Sequence, residues 1–324
     1  MSQFSQLFPP CAKFTDKDVP DQSGKVFIVT GGAAGVGFEV SRILYEKNAT
    51  VYIAARTASK IQSVISNIRN QCPNSKGRLE PLILDLANLE TIKHAVEDFI
   101  SKEQRLDVLF NNAGVMGTNP NEKSAQGHEL QMGTNAVGPF LLTRLLEPIL
   151  LRTAAQEGSS RSVRIVWVSS MLDFGTPKGG VVWDSQTDAP VLHSDMMANY
   201  MQSKAGLTFL GHEFAKRLGD KGIISTSLHP GILKTELQRN MPVPMRAAIG
   251  VVFKGPIYGA YTELYAGFSP DITSKDNGRY IIPWGRLGSV PEHMAGGMRS
   301  IGEGGTSSSE KFWDWCEAIT SSYR

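Results

Sequence analysis

The segment KVFIVTGGAAGVG, residues 25–37, constrains the fold more than any other part of the chain. An apolar run rich in β-branched residues ends in glycines at positions 31, 32, 35 and 37, then gives way to the helical pattern FEVSRILYEKNA. Such a run reads as a buried strand. Glycines at its end permit a tight turn and let backbone amides approach a pyrophosphate at the positive end of the helix that follows. A second strand, TVYIAAR (50–56), and a second helical stretch, SKIQSVISNIRNQ, come next. The glycine loop therefore sits inside a βαβ unit, the context in which such a loop implies a dinucleotide.

The alternation continues along the chain. Strand patterns LEPLILDL (79–86), LDVLFNNAG (106–114), SVRIVWVSS (162–170), GIISTSLHP (222–230) and GRYIIP (278–283) are separated by helical stretches over 89–102, about 125–153, around Tyr200, and near 257–267. Continuous apolar strands between amphipathic helices indicate a parallel sheet covered on both faces. The expected fold is α/β, a doubly wound Rossmann fold with a seven-stranded parallel sheet. No Pro/Ser linker or repeat divides the 324 residues, so a single unit is expected. Its core would run over about 24–285, with a polar lead-in at 1–23 and a tail at about 286–324. Two stretches, 171–198 and 235–256, interrupt the rhythm and are longer than ordinary connections. Long loops at one end of a parallel sheet build ligand sites.

The second strand ends in Arg56, followed by Lys60, and no carboxylate lies between positions 46 and 80. An acid there would bind bare ribose hydroxyls, whereas a guanidinium suits a 2′-phosphate, so the cofactor expected is NADP(H). Further on, Tyr200 and Lys204 stand four residues apart on a helical stretch and share one face. A free phenol, with a pKa of roughly 10, is a poor acid/base at neutral pH; a neighbouring ammonium would lower it. The pair reads as a candidate proton donor and acceptor.

Bulk properties exclude several classes. A net charge of +2 gives no reason to expect nucleic acid. No apolar run approaches the roughly 18 residues of a membrane span, and the N-terminus does not read as a secretory signal. Three scattered cysteines and six scattered histidines suggest neither a disulfide framework nor a metal site, and fit a reducing, cytoplasmic setting.

In order and spacing, Thr30-Gly31-x-x-x-Gly35-x-Gly37, Asp85-Leu86, Asn111-Asn112-Ala113-Gly114, Asn135, Ser169-Ser170, Tyr200-x-x-x-Lys204 and Pro230-Gly231 resemble the short-chain dehydrogenases/reductases over roughly residues 24–285. Wording such as QMGTNAVGPFLLTRLL and IPWGR is similar to the fungal retinol-dehydrogenase-like branch. The resemblance implies a catalytic set of Asn135, Ser170, Tyr200 and Lys204. Tyr200 would move the proton, Lys204 would lower its pKa and hold the nicotinamide ribose, and Ser170, in preference to Ser169, would bind the substrate oxygen. Asn135 would hold a water linking Lys204 to solvent. For the cofactor it implies Gly31, Gly35, Val36 and Gly37 at the phosphates and Arg56 and Lys60 at the 2′-phosphate. Asp85 and Leu86 would meet the adenine, and Asn112, Ala113 and Gly114 the ribose. Pro230, Gly231, Leu233 and Thr235 would seat the carboxamide and phosphates.

Three departures from that family pattern stand out. Ala33 and Ala34 replace side chains that often help hold phosphate. Ser170 and Tyr200 are 30 residues apart rather than about a dozen, so 171–198 must fold over or beside the site. Trp167 occupies a strand position often held by something smaller, where its expected role is packing. Many members tetramerise through the tyrosine helix; the insertion and a tail bearing Trp313, Trp315 and Cys316 would obstruct that face, so a monomer or homodimer is expected.

The leading function is reduction of a ketone or aldehyde, or oxidation of the alcohol. The alternatives are non-redox isomerisation or cyclisation on a scaffold that retains NADP(H), and nucleotide sensing. Met171, Leu172, Phe174, Met196, Met197, Met241, Pro242 and Met245 fall in the two irregular stretches and suit a bulky lipophilic molecule. A polyketide, terpenoid, steroid or retinoid-like carbonyl from secondary metabolism would fit.

Overall fold

The computed structural model describes residues 4–158, 163–234 and 253–324. After a short helix α1 (Phe4–Leu7), strand β1 (Val26–Thr30) leads into α2 (Gly35–Glu46). Then come β2 (Thr50–Ala55), α3 (Ala58–Gln71), β3 (Arg78–Ile83), α4 (Leu89–Lys102) and β4 (Val108–Asn111). A turn over Leu130–Met132 and a π-helical turn over Gly133–Val137 open α5 (Gly138–Glu157). Strand β5 (Arg164–Val168) is followed by a 3-10 turn over Met171–Gly175 and by α6 (Met196–Leu218). The remaining elements are β6 (Ile224–Leu228), α7 (Pro256–Phe268), β7 (Tyr280–Ile282), β8 (Arg286–Gly288), α8 (Glu292–Met298) and α9 (Ser308–Thr320).

The strands form one sheet in the order β3-β2-β1-β4-β5-β6-β7-β8. Seven are parallel, as expected; β8 is a further, antiparallel edge strand, its Leu287 opposite Ile281. Residues 286–288 look like tail in the sequence because the strand is only three residues long. Every residue of β1, β4, β5 and β6 is buried, because helices cover both faces and leave no solvent side for polar alternation. Two apolar layers result. Phe99, Phe140, Trp167 and Phe214 belong to one, and Phe27, Ile43, Phe110 and Leu264 to the other.

Trp167 packs as expected: it is stacked on Phe214 at 5.2 Å between ring centroids, and its indole donates to Ser225 Oγ at 3.0 Å. The helix expected from about residue 125 starts later, at Leu130. Gly127, at φ +83°, closes a turn in which Ser124 N donates to the His128 carbonyl, and the Glu129 side chain then caps the helix.

Neither end of the chain is passive. At the N-terminus Gln6 is buried and its Oε1 lies 2.9 Å from His229 Nε2. At the C-terminus α9 lies along α6 and buries Phe312, Trp313 and Cys316. The seat for α9 is Gly206, where an added Cβ would lie 2.5 Å from the Phe312 ring. The doubly wound order changes direction between β1 and β4, and the crevice at that switch point is where such sheets bind ligands.

Candidate active site

A cleft of about 520 Å³ opens at the carboxyl ends of the parallel strands. Its floor is pinned by Thr30, the last residue of β1. The Thr30 hydroxyl donates to the Phe110 carbonyl at 3.1 Å and accepts from Asn112 N and Ala113 N, both at 3.0 Å. Asn112 Nδ2 in turn donates to the Thr30 carbonyl at 2.7 Å, locking the end of β4 to the glycine loop.

In that loop Gly31 and Gly35 hold φ of +67° and +54°, a region closed to most side chains. Gly37 is needed for a different reason: a Cβ there would sit 2.5 Å from Asn112 Nδ2 and 2.6 Å from the Gly31 carbonyl oxygen. Helix α2 starts with Ala34 at its cap, a residue whose side chain makes no hydrogen bond to the first amides. Uncapped amides at the positive end of a helix, reached across a loop with no side chain larger than a methyl, suit a pyrophosphate. At the same end of the cleft lie Arg56, Lys60, Asp85 and Leu86, with Arg56 and Lys60 exposed. Asp85 is partly turned inward, its Oδ1 accepting from Ala87 N at 3.0 Å.

The other end is built by β5 and α6. Ser170, just beyond β5, is in extended backbone, and its Oγ accepts from Leu172 N at 3.2 Å. Tyr200 and Lys204 both line the cleft and are each only 3% exposed. Lys204 Nζ donates to the Val168 carbonyl at 2.8 Å and stands 5.9 Å from the centre of the Tyr200 ring. Gly114 leaves room for the ammonium, since a Cβ there would lie 3.2 Å from Nζ. Pro230, Gly231 and Leu233 complete the wall, with Gly231 at φ +88° against Trp284.

Burial sets the electrostatics. It pushes the Tyr200 phenol well above its usual value; a hydrogen bond with the Ser170 hydroxyl pulls the other way, and the Asp173 charge adds to the rise. The depression expected from Lys204 is thus not what prevails at Tyr200 in the protein alone. Burial also lowers Lys204 to about 8, against the opposing influence of Asp173 and Glu263.

A short chain dehydrogenase model matches residues 25–185. The short-chain dehydrogenase/reductase bet4 of Neocamarosporium betae is 43% identical over 321 residues, spanning 98% of this chain and 92% of that protein. The chain belongs to the short-chain dehydrogenase/reductase family. A second member, from Phomopsis amygdali, is also 43% identical, over 99% of this chain and 96% of its own length. Among solved structures, the RhlG/NADP active-site complex of Pseudomonas aeruginosa superposes with a TM-score of 0.60 at 24% identity, covering 80% of this chain and 94% of that one. The fold is shared at that distance. Membership makes the protein an oxidoreductase acting on CH–OH/C=O groups with a nicotinamide cofactor.

Within this short-chain dehydrogenase/reductase, the cleft gathers most of the residues singled out by sequence. Gly37 lies beneath it rather than on it, and Thr235 falls outside the described residues. Asn135 is also beneath, in the π-helical turn. Its Oδ1 accepts from Val115 N at 2.8 Å, and its Nδ2 donates to the Val115 carbonyl at 3.0 Å and to Ser203 Oγ at 2.9 Å. Its side chain therefore braces the helix that carries Tyr200.

Of the apolar residues in the two irregular stretches, Met171 and Leu172 line the cleft. Phe174 instead lines a shallow hollow with Pro291, Glu292 and His293. Met196 is exposed and Met197 half-buried, neither on the cleft wall, and Met241, Pro242 and Met245 lie outside the described residues.

Sequence reasoning passed over the two buried acids that act on Lys204, Asp173 and Glu263. Each was signalled by a lone carboxylate in an apolar setting, MLDFG and YTELY.

Proposed function

We propose that the chain is an NADP(H)-dependent reductase of a bulky lipophilic ketone or aldehyde, working in reverse on the alcohol. The observation that carries this reading is that Ser170, Tyr200 and Lys204 meet at one end of a cleft whose far end presents Arg56 and Lys60. Gly31, Gly35 and Val36, with the uncapped start of α2, would hold the pyrophosphate, and Arg56 the 2′-phosphate. Asn112, Ala113 and Gly114 would line the ribose, Asp85 and Leu86 the adenine, and Pro230, Gly231 and Leu233 the carboxamide side. The bound nicotinamide supplies the hydride in reduction and accepts it in oxidation.

The chain's own residues handle the oxygen and the proton. The Ser170 hydroxyl hydrogen-bonds the substrate oxygen. The Tyr200 hydroxyl passes its proton to that oxygen as negative charge develops, and takes it back in oxidation. Lys204 holds the ribose hydroxyls and keeps a positive charge beside the phenol. Burial makes an isolated tyrosinate costly, so the phenol stays protonated and ready to donate until the substrate oxygen is in place. Asn135 keeps α6 in register through Ser203.

The apolar rim formed by Met171 and Leu172, and the fungal origin of the named relatives, support a lipophilic substrate from secondary metabolism. Loss of NADPH absorbance on adding each of a panel of lipophilic ketones tests the reading; no response across the panel would count against it. Cofactor choice has its own test. NADPH should bind far more tightly than NADH, and Arg56→Ala should remove most of that preference while leaving NADH affinity nearly unchanged. Equal wild-type affinities by fluorescence titration would overturn the NADP(H) assignment.

A further inference from the structure

Beneath the catalytic residues lies a carboxylate that the proposed mechanism does not use. Asp173 is fully buried in the 3-10 turn that begins the 171–198 insertion. Its Oδ2 accepts from Ser169 Oγ at 2.8 Å, Thr208 Oγ1 at 3.1 Å and the Tyr280 hydroxyl at 3.2 Å. These donors come from the end of β5, from α6 and from β7. Ser169 Oγ also lies 2.8 Å from the Lys204 carbonyl, and the Tyr280 hydroxyl 3.3 Å from the Ser170 carbonyl. The hydroxyls that meet this carboxylate thus also lie within reach of the Ser170 and Lys204 carbonyls, each with one proton to give to either acceptor.

We propose that Asp173 is the buried counter-ion of Lys204 and the positioning residue that clamps the Ser170 strand end to the Tyr200–Lys204 helix. This rests on the reading above of Lys204 as the working cation.

A buried ammonium needs an opposite charge, and two acids act on Lys204, Asp173 foremost and Glu263 second. They differ in what surrounds them. Three hydroxyl donors converge on Asp173, and hydrogen bonds to a carboxylate favour its charged form. Glu263, on α7, has no hydrogen-bond partner for either oxygen among the described residues. Burial pushes it up to about 8, and only the Lys204 charge opposes that rise. Asp173 is also pushed up by burial, to about 7, while its three hydroxyl donors and Lys204 hold it down. Among the described residues, the other titratable groups around Asp173 are Tyr200 on α6 and Tyr280 on β7, both raised by burial, and His293 of α8, whose Nε2 meets Thr176 Oγ1 at 2.8 Å. None of these supplies a second negative charge at neutral pH.

Reciprocal titrations test the pairing without any substrate. In protein carrying 13Cε-lysine and 13Cγ-aspartate, the Lys204 signal is identified by its loss in Lys204→Met, and that of Asp173 by its loss in Asp173→Asn. In Asp173→Asn the Lys204 ammonium should lose its proton at lower pH, with an ionisation constant raised on the order of tenfold. In Lys204→Met the Asp173 carboxyl should titrate at higher pH by the same factor, because coupling is reciprocal. If Asp173→Asn does not fold, Asp173→Glu, which keeps the charge and removes the labelled aspartate, assigns the carboxyl signal and the Lys204→Met arm decides alone. Unmoved midpoints would make Asp173 a structural clamp only and overturn the proposal. So would a Lys204 midpoint that shifts in Glu263→Gln but not in Asp173→Asn. Coupled titration in a protein that never oxidises NADPH with a carbonyl would sink the reductase reading and leave this pairing standing.

Discussion

Turnover of the carbonyl reaction should fall about 10²–10⁴-fold in Tyr200→Phe, the range expected when a positioned general acid is removed. The ring is 3% exposed and keeps its packing in the variant, so folding and NADPH binding should survive. What is lost is one hydroxyl, which hydrogen-bonds Ser170 and, on the proposed mechanism, the substrate oxygen. Because burial already holds the phenol protonated, the loss should be greatest in reduction, where donation is required. The check is kcat at saturating NADPH, together with NADPH affinity by fluorescence. Full turnover with chemistry shown to be rate-limiting would make the tyrosine structural.

Lys204→Ala should damage two quantities at once, turnover and cofactor affinity. The ammonium is buried, donates to the Val168 carbonyl at 2.8 Å and fills the space that Gly114 leaves. Its removal leaves that carbonyl unpaired and takes away both the cation beside the phenol and the proposed ribose contact. Lys204→Arg should restore only part, since a planar guanidinium replaces a compact ammonium in a tight space. Effects on turnover of Tyr200→Phe and Lys204→Ala should be less than additive, because both act on one proton transfer. The wild-type rate carries a pH signature as well. Burial lowers Lys204 to about 8, so its charge, and with it the reduction rate, should decline as pH rises through that value. The residual activity of Lys204→Ala should not show that decline. A kcat/KM unchanged in Lys204→Ala would place the lysine outside the reaction.

The parts of this molecule written in short-range pattern were legible in the sequence. The run from VFIVT into the glycine loop fixes β1, the turn and α2, because strand propensity, positive φ and helix start are all local demands. The helix over 89–102 was likewise readable from the sequence, and the structure adds its cap, the Asn88 side chain accepting from Glu90 N. What escaped notice depends on distant partners. Strand β8 is three residues that make sense only beside β7, and α9 reads as an aromatic tail until Gly206 supplies its seat. Asp173 looks like a loop acid until Ser169, Thr208 and Tyr280 are brought to it from three elements. Tyr200 and Lys204 could be picked out by spacing, but the direction in which burial moves the phenol could not, since burial is a property of the fold.

The most direct test of the central claim follows the hydride itself. Wild-type protein would be incubated with NADPH deuterated at the transferable position of the nicotinamide and a lipophilic ketone that passes the absorbance screen, and the product analysed by mass spectrometry and NMR. A reductase places deuterium on the carbinol carbon, one atom per molecule of NADPH consumed, and Tyr200→Phe slows that transfer. Product that forms without deuterium while NADPH is not consumed would contradict the account and favour non-redox chemistry on the same scaffold.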